Sequence, residues 1–242
     1  MDGNGTLDVL SAARTRNELA WYSNETGIGD FGPLRLISES SENNAIVPGD
    51  IDGDGDLDII SSSADGDLFF WQENMDGLGN FGPQQMIDII SGAFDVNLSD
   101  IDGDGDLDLL GGSFETGILY LYKNDGDSNF ETKIEIGAAN GFSISTADLD
   151  GDLDLDIVVS VSGSIIIGWY NNLGGFGSLQ TIGAPNTTST VNNFPIDVDG
   201  EGDIDIISAS LNEDFGISWY ENLDGLGSFS PLKIIFTDIK PQ

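Results

Sequence analysis

The sequence predicts an all-β fold, and three observations carry this prediction. One unit of about 49 residues recurs five times along a chain of 242 residues. Each unit holds short segments rich in β-branched and aromatic residues, separated by Asp-Gly turns. No unit contains a long run with apolar residues at helical spacing, and 33 glycines interrupt any candidate helix. We therefore expect strands joined by hairpins and almost no helix.

An acidic segment marks each unit. It reads DIDGDGDLDII from Asp50, DIDGDGDLDLL from Asp100, DLDGDLDLDIV from Asp148 and DVDGEGDIDII from Asp197. The chain opens inside a fifth copy, DGNGTLDVL. The Asp at the third position of the segment occupies residues 2, 52, 102, 150 and 199, so successive units are offset by 50, 50, 48 and 49 residues. Insertions and deletions between units are therefore small.

A second segment follows each acidic segment and combines an aromatic strand with a Gly-rich turn, as in LAWYSNETGIGDFGPLRLI from Leu19. Four strands fit one unit: one leading into the acidic loop, one leaving it, the Trp-Tyr strand, and one after the Gly-Phe turn. Four strands per repeat is the architecture of a propeller blade. We predict a β-propeller built from five tandem four-stranded blades, the first of which lacks its leading strand.

We expect the units to form a single β-propeller domain over residues 1–242. Their approximate limits are 1–43, 44–92, 93–140, 141–189 and 190–242. The end of the chain does not plainly supply the strand that the first unit lacks. A five-bladed ring, a fragment of a longer array and an assembly closed between chains all remain open, and unpaired strand edges favour a homo-oligomer.

The charge of the chain excludes several partners. It has 43 acidic and seven basic residues, a formal net charge of −36, yet 39% of it is hydrophobic, with 13 Phe. Disordered acidic chains lack that apolar content, so we expect a folded protein. No run of Lys or Arg exists to contact phosphates, which excludes nucleic acid and anionic lipid surfaces as direct partners.

The sequence contains no cysteine and no histidine. Disulfides, thiolate metal sites, the usual zinc ligand and the usual general base are therefore excluded. No apolar run approaches the roughly 18 residues of a transmembrane helix, so we expect no insertion into a membrane. No export signal is recognisable at the start, and we expect it to have been removed or not included.

The acidic segments predict metal sites. In DIDGDGDLD the carboxylates stand at loop positions 1, 3, 5, 7 and 9 and Gly stands at position 6. Calcium takes six to eight oxygen ligands, and known loops use side chains at positions 1, 3 and 5, a carbonyl at 7 and Gly at 6. The candidate ligands are Asp50, Asp52, Asp54, Asp56 and Asp58; Asp100, Asp102, Asp104, Asp106 and Asp108; Asp148, Asp150, Asp152, Asp154 and Asp156; Asp197, Asp199, Glu201, Asp203 and Asp205; and Asp2, Asn4 and Asp8.

We expect about four well-formed Ca²⁺ sites of unequal strength. Leu153 replaces the turn glycine and Glu201 replaces an Asp, so the two loops that hold them are ranked weaker. The opening loop is incomplete because its first Asp would precede Met1. An EF-hand is excluded, since loop position 12 is Ser61 and strand-like residues follow. Solvated hairpin turns remain the alternative to a metal site.

The tandem DxDGDGDxD loops, followed by WYxN and GxGxF, resemble the FG-GAP or VCBS repeats of integrin-like β-propellers and secreted bacterial proteins. The resemblance implies calcium in the loop between the first and second strands of each blade. Carried over by position, it implies side-chain ligands at positions 1, 3, 5 and 9, with the carbonyls of Asp56 and Asp106 completing their cages. It also implies adhesion or the binding of a protein or carbohydrate ligand.

Aromatic residues recur once per unit at Trp21, Trp71, Trp169 and Trp219, with Leu121 in the third unit. Packing between blades is the favoured interpretation, and glycan pockets are the alternative. An Asn follows each aromatic position by three residues, and we assign it chiefly to turn formation.

We therefore expect a calcium-binding, non-catalytic repeat module, extracellular or on the surface of a bacterium, that binds a glycan or a protein. Extracellular modules bind calcium at roughly 0.1 to 1 mM, which fits such a compartment. The alternatives are a structural fragment of a longer propeller that closes by oligomerisation and a propeller-type polysaccharide-degrading enzyme. An enzyme should have one unit with residues that the others lack, and none stands out in the sequence.

Overall fold

The computed structural model describes residues 1–39, 43–130, 132–138, 143–161, 166–182, 190–210 and 216–236. These ranges contain strands and one short 3-10 turn at Arg14–Arg16, with no α-helix among them. The predicted unit limits after residues 140 and 189 lie outside the described residues. Within the described ranges, no helix has the length and apolarity needed to cross a membrane.

The strands form five sheets in tandem, which we number as repeats 1 to 5. In each sheet the strands are hydrogen-bonded to their neighbours in chain order. The strands of repeat 1 are β1 (Val9–Ala13), β2 (Glu18–Tyr22) and β3 (Arg35–Glu39). Those of repeat 2 are β4 (Asn43–Gly49), β5 (Asp58–Ser63), β6 (Leu68–Gln72) and β7 (Gln85–Ile89). Those of repeat 3 are β8 (Ala93–Ser99), β9 (Asp108–Ser113), β10 (Ile118–Lys123) and β11 (Thr132–Ala138).

Repeats 4 and 5 follow the same plan. Repeat 4 contains β12 (Ile144–Ala147), β13 (Asp156–Val161), β14 (Ile166–Tyr170) and β15 (Gln180–Ile182). Repeat 5 contains β16 (Thr190–Ile196), β17 (Asp205–Ser210), β18 (Ile217–Tyr220) and β19 (Lys233–Phe236). Pairing is antiparallel throughout these two sheets. The predicted all-β fold of tandem four-stranded units, the first lacking its leading strand, is confirmed in the described residues.

Burial explains the composition of the strands. The second strands of repeats 2, 3 and 4 are buried at every position. A strand covered on both faces needs apolar or small residues throughout, and this accounts for runs such as DIVVSV in β13. The outer strand β7 contains only exposed and half-buried residues, as expected for a strand at the edge of its sheet.

The chain divides into two compact units. One comprises Met1–Leu98, Gly105–Thr116 and Leu121–Ile134, and the other comprises Ser99–Asp104, Gly117–Tyr120 and Glu135–Gln242. The first has a core cluster in which Leu19 of repeat 1 packs with Ile59 and Phe70 of repeat 2. The second has a cluster in which Val158 and Trp169 of repeat 4 pack with Ile206 of repeat 5. Each core is therefore built between the faces of consecutive repeats.

The recurrent tryptophans contribute to these cores. Trp21, Trp71 and Trp169 are at most 5% exposed, whereas Trp219 is half-buried. A Cβ atom at Gly79 would collide with the ring of Trp21, and one at Gly227 would collide with the ring of Trp169. The Trp of one repeat is thus covered by a Gly-rich turn of the next, which favours packing over glycan binding for the three buried rings.

Candidate metal centres

The acidic loops join the first and second strands of repeats 2 to 5. Each loop begins after the leading strand, as Asp50 follows Gly49, and ends on the first residue of the second strand, as at Asp58. Loop positions 1 and 9 are therefore fixed by the antiparallel pair of strands that holds them, and in repeat 2 Gly49 is the residue paired with Asp58. The pairing of the two strands therefore brings the two ends of each loop together.

The first Asp of each loop shapes the turn. The Asp50 carboxylate accepts hydrogen bonds from the backbone N–H groups of Gly53 at 2.9 Å and Gly55 at 3.1 Å. Asp148 accepts the equivalent bonds from Gly151 at 2.7 Å and Leu153 at 3.0 Å. The two loops have the same conformation although one has Leu where the other has Gly, and both residues have a positive φ, 77° at Leu153 and 94° at Gly55.

Three carboxylates of each complete loop lie close enough to hold one cation. In each group every residue offers an oxygen that lies within 4.8 Å of the other two. These residues occupy loop positions 1, 3 and 9. The groups are Asp50, Asp52 and Asp58; Asp100, Asp102 and Asp108; Asp148, Asp150 and Asp156; and Asp197, Asp199 and Asp205.

The side chains at loop positions 5 and 7 lie outside these groups. Asp54 is exposed, and its carboxylate accepts the backbone N–H of Asp56 at 2.9 Å. The Asp56 side chain lies against the second turn of its repeat, where a Cβ atom at Gly77 would collide with it. Asp106 lies against Gly126 in the same way. The position-7 side chains thus contact a neighbouring turn. That the backbone carbonyls at position 7 bind calcium stays a prediction.

The position-9 carboxylates are buried. Asp58 is 0% exposed, and its two oxygens accept the backbone N–H groups of Ile51 at 3.1 Å and Asn74 at 2.8 Å. Burial raises the pKa of Asp58 to about 6, against the opposing effect of these hydrogen bonds. Burial raises the pKa of Asp156 to about 6 in the same way. Burial, reinforced by the charges of Asp54 and Asp50, also raises the pKa of Asp52.

The opening loop differs from the other four. The Asp2 carboxylate accepts the hydroxyl of Ser23 at 2.7 Å, and the Asn4 side-chain oxygen accepts the backbone N–H of Thr6 at 2.8 Å. Because Asn4 carries an amide, Asp2, Asn4 and Asp8 supply two carboxylates and not three. That this loop is the least complete metal site stays a prediction.

The complete loops fit a hard cation. Asp150 Oδ1 is buried and has no hydrogen-bond donor, although Oδ2 of the same carboxylate accepts the side-chain amide of Asn171. A buried carboxylate oxygen without a partner is costly, and a cation in the group of Asp148, Asp150 and Asp156 would satisfy it. The candidate ligand atoms are all carboxylate oxygens. Calcium and magnesium bind oxygen ligands, whereas zinc sites usually contain nitrogen or sulphur ligands.

The recurrent asparagines have a role that the sequence did not reveal. Asn74 closes a turn, since its side-chain oxygen accepts the N–H of Gly79 at 2.9 Å, as predicted. Its amide also donates to the carbonyls of Leu57 at 3.3 Å and of Met1 in the preceding repeat at 3.0 Å. Asn124, Asn172 and Asn222 repeat both donations. The recurrence of the Asn in all five units indicated that it has a role, but it did not indicate that the amide bonds a carbonyl of the preceding repeat.

Comparison with protein families gives one match. The model of the FG-GAP-like repeat matches four overlapping segments, residues 1–61, 50–111, 100–159 and 148–208. Each match extends from one acidic loop through the next one, so the matched unit contains the aromatic strand and the turns between two loops. Among curated proteins, none matches the chain significantly.

Comparison with solved structures gives 30 matching chains. An Agrocybe aegerita lectin that recognises non-reducing terminal N-acetylglucosamine is 21% identical with a TM-score of 0.64, over 97% of this chain and 68% of the lectin chain. A V. cholerae biofilm matrix protein is 18% identical with a TM-score of 0.54, over 96% and 37%. An exo-β-1,3-galactanase from Clostridium thermocellum is 12% identical with a TM-score of 0.51, over 96% and 63%.

These likenesses concern the fold. The chain spans less than two thirds of the matrix protein and of the galactanase chains. The three proteins have different roles, since one is a lectin, one a biofilm matrix protein and one an enzyme, so the shared fold by itself implies no single activity.

Proposed function

Because the chain belongs to the FG-GAP-like repeat family, we propose that it is a calcium-binding extracellular repeat module that binds a ligand and catalyses no reaction. One observation carries the proposal: the same group of three carboxylates recurs at the same loop positions in four consecutive repeats. A single acidic cluster is common on protein surfaces, but four copies at one position of a repeated unit indicate a shared ligand.

Calcium fits the loops better than magnesium. Calcium accepts irregular cages of six to eight oxygens, whereas magnesium requires near-ideal octahedral geometry and keeps its waters. We propose side-chain ligands at positions 1, 3, 5 and 9 of each complete loop and a backbone carbonyl at position 7. When bound, the cation offsets the mutual repulsion of the carboxylates, which costs roughly 3 kcal/mol for two charges about 6 Å apart at an effective dielectric of about 20.

We propose that the five sheets are the blades of one β-propeller domain over residues 1–242. Support comes from the four-stranded, sequentially ordered sheets and from the packing of consecutive repeats face to face. In this arrangement the acidic loops rigidify the junction between the first two strands of each blade. Calcium would therefore act on stability and on the presentation of surface loops.

A glycan is the proposed ligand class, with a protein ligand as the alternative. A lectin and a biofilm matrix protein among the structures of similar fold support an adhesive, extracellular role. We propose secretion or display on a bacterial surface, because the loops need the millimolar calcium of that compartment. The buried rings of Trp21, Trp71 and Trp169 are not candidates for stacking on a sugar.

Two other functions remain as alternatives. A polysaccharide-degrading enzyme is supported by the galactanase of similar fold, but the acidic side chains of this chain recur in every complete loop and serve the proposed metal sites. A structural fragment of a longer propeller, closed by oligomerisation, is supported by the three-stranded first sheet. Neither alternative accounts for the recurrent carboxylate groups and the lectin of similar fold better than the non-catalytic module does.

The decisive experiment for calcium is thermal unfolding followed by far-UV circular dichroism, in millimolar calcium, in millimolar magnesium and in excess chelator. We expect the midpoint to fall by many degrees in chelator and to recover with calcium but not with magnesium. Coincident curves in calcium and chelator would sink the proposal, and the loops would then be solvated turns.

The ligand is tested separately on the calcium-loaded protein. Isothermal titration with an oligosaccharide ending in N-acetylglucosamine and with a β-1,3-galactan probes the glycan classes named by the structures of similar fold. Saturable binding without release of sugar supports the binding module. Release of galactose from the polymer would establish the enzyme instead, and silence with both probes would leave the protein ligand as the working alternative.

A further inference from the structure

One position of each repeat lies beside the acidic loop and differs in charge from repeat to repeat. It directly precedes the recurrent Asn, and we call it the flanking position. Its residues in repeats 1 to 5 are Ser23, Glu73, Lys123, Asn171 and Glu221. The acidic loops of repeats 2 and 3, by contrast, share the same nine residues, DIDGDGDLD. The flanking position therefore distinguishes two loops whose own sequences are identical.

Strand pairing places the flanking position beside the end of the loop. In repeat 2 the residue before Glu73 pairs with the residue after Asp58, so the antiparallel register brings Glu73 opposite Asp58. The next residue, Asn74, donates its backbone N–H to the Asp58 carboxylate at 2.8 Å. In repeat 3 the equivalent bond joins Asn124 to Asp108 at 2.9 Å. The flanking side chains of the two repeats therefore start from the same place relative to their loops.

In two repeats the flanking side chain contacts a proposed calcium ligand. The Ser23 hydroxyl donates to Oδ2 of Asp2 at 2.7 Å, and the Asn171 amide donates to Oδ2 of Asp150. Asp2 and Asp150 both occupy loop position 3. A serine is short and still reaches this carboxylate, so the longer side chains of glutamate and lysine reach it as well. The flanking position therefore delivers its charge to the place where the cation would bind.

Glu73 brings a negative charge to the loop of repeat 2. Within the described part of the chain, its carboxylate has no hydrogen-bond donor and no ion pair. On the neighbouring outer strand, Gln85 stands at the register position that Lys233 has in repeat 5. Lys233 donates to the Glu221 carboxylate and so neutralises it. The charge of Glu73 is therefore available to a cation, whereas that of Glu221 is already paired.

Lys123 brings the opposite charge to the loop of repeat 3. It is half-buried, as Glu73 is, so neither side chain is extended freely into solvent. An ammonium group at the place of the Asn171 amide would lie against Asp102, the position-3 carboxylate of its loop. At such short range salt screens little of the interaction. The ammonium would stabilise the metal-free loop and repel a divalent cation.

We propose that the flanking residue sets the calcium affinity of its own loop, so that repeat 2 binds calcium more tightly than repeat 3 although the two loops are identical. Glu73 adds a carboxylate to the groups around the cation, and Lys123 pairs with Asp102 and opposes the cation. Residues that contact metal ligands typically change metal affinity by about 10- to 100-fold, and we expect at least tenfold here. The inference rests on the proposed calcium binding and adds the residue that ranks the sites.

The test measures the stepwise calcium affinities by titration in competition with a chelator of known affinity. The variants are Glu73→Gln and Lys123→Gln, which remove the charges and keep most of the side chain. Arg14→Gln is the control for a lost positive charge, because Arg14 is exposed and follows β1 at the end away from the loop. Glu135→Gln is the control for a lost negative charge, since Glu135 is exposed on the outer strand β11. Circular dichroism establishes that each variant is folded.

We expect Lys123→Gln to strengthen one binding step by at least about tenfold and Glu73→Gln to weaken one by a similar factor. Both controls should leave every step unchanged. Adding Asp108→Asn to Lys123→Gln should abolish the gain, because Asp108 closes the loop of repeat 3. A gain that persists in this double variant would assign the effect to another loop and overturn the proposal.

Thermal unfolding in chelator and in calcium gives a second readout. In chelator, Lys123→Gln should lower the midpoint, because the carboxylates of repeat 3 lose a neutralising charge, and Glu73→Gln should raise it. The rise of the midpoint on adding calcium should be larger in Lys123→Gln and smaller in Glu73→Gln than in the unaltered chain. A purely structural role would shift the midpoint equally in both solutions.

The outcomes separate this inference from the proposed function. If the unaltered chain binds no calcium, the calcium proposal fails and the ranking of its sites fails with it. If the unaltered chain binds calcium but Glu73→Gln and Lys123→Gln match their controls in every step and in both unfolding solutions, only the role of the flanking position is overturned.

Discussion

The opening loop and the acidic loop of repeat 2 follow the same sequence pattern, yet only the loop of repeat 2 brings three carboxylates together. In repeat 2, Asp50, Asp52 and Asp58 direct oxygens to within 4.8 Å of one another. In repeat 1, the Asp2 carboxylate accepts the hydroxyl of Ser23, and the Asn4 oxygen accepts the N–H of Thr6. The oxygens of both loops accept hydrogen bonds from protein donors, as the Asp54 carboxylate does from the N–H of Asp56, but only in repeat 2 do three carboxylates also converge.

The carboxylates at the end of the two loops also differ. Burial pushes the pKa of Asp8 upward, but the N–H of Asn24 and the amino group of Met1 outweigh it and hold the pKa below its ordinary value. Burial dominates at Asp58 and raises its pKa to about 6. The Asp at loop position 9 is thus stabilised as an anion in repeat 1, whereas in repeat 2 burial makes its ionised form unfavourable. The comparison teaches that burial and the groups around the closing carboxylate, and not its place in the pattern alone, set the pKa of that carboxylate.

The largest expected effect comes from removing the charge of Asp58. Asp58→Asn keeps an oxygen for the backbone donors but removes a proposed ligand charge, so one calcium should be lost from the count by native mass spectrometry. At calcium a hundredfold above Kd the lost linkage is about 2.7 kcal/mol of unfolding free energy. Asp8→Asn is the matched control and should leave the count unchanged. Equal losses in the two variants would remove the distinction between the loops.

The next effect concerns the recurrent asparagines. Asn124→Ala removes the donor to the carbonyls of Ile51 and Leu107 in a buried junction. An acceptor left unpaired costs about 1 to 3 kcal/mol, so we expect a loss near the upper end for two carbonyls. Asn24→Ala removes one such donation and the bond that the Asn24 oxygen accepts from the N–H of Gly29, and it should cost less because both of these bonds lie within repeat 1 and are only partly buried. Urea unfolding at fixed calcium measures both, and equal costs would contradict the inter-repeat role.

A smaller effect is the pH dependence of calcium binding. Because the folded carboxyls of Asp58 and Asp156 have a pKa of about 6, above their unfolded values, the metal-free protein binds protons more tightly when folded. Its stability should therefore fall as pH rises from about 4 through about 6. Calcium binds the ionised form, so affinity should drop about tenfold per site between pH 7.5 and pH 5. Titration calorimetry in buffers of different ionisation enthalpy measures the released proton, and an affinity that is flat over this range contradicts the burial argument.

The smallest effect sharpens the comparison among the complete loops. Leu153 has φ of 77° and is 89% exposed. Its left-handed backbone therefore destabilises the fold, and the exposed side chain gains no packing that offsets the strain. Leu153→Gly should stabilise the protein by about 1 kcal/mol, because only glycine adopts this conformation without strain. Gly55→Leu in repeat 2 is the reciprocal variant and should destabilise by a similar amount. Thermal unfolding in calcium would show either change, and a destabilised Leu153→Gly would count against strain as the reason for ranking this loop weaker.

Most of the fold was predictable because the same sequence unit recurs five times along the chain. The period gave the repeats, the β-branched and aromatic runs gave the strands, and the missing leading strand of repeat 1 followed from where its pattern begins. The position of the acidic loop between the first two strands was also predictable from the family resemblance. Alternation was less informative in β5, β9 and β13, because strands buried on both faces do not alternate.

The candidate sites were only partly predictable. The sequence nominated five acidic positions per loop, and the structure groups three of them, since Asp54 is turned to a backbone N–H and Asp56 lies against another turn. The ranking of Leu153 as a weak point rested on a local rule of backbone conformation, and its positive φ agrees with that rule. The engagement of Asp2 by Ser23 spans 21 residues, and no local pattern encodes it.

The sequence by itself determined the repeat, the strands, the charge and the chemistry of the donors, because those depend on residue type and local spacing. Only the tertiary structure decided which oxygens converge, which carboxylates are buried enough to resist ionisation, and which asparagine amides reach the preceding repeat. Those properties depend on neighbours some 16 to 73 residues away along the chain, as in the bonds of Asn74 to Asp58 and to Met1. Packing of one repeat on the next brings such neighbours together, and spacing within a single repeat carries no record of it.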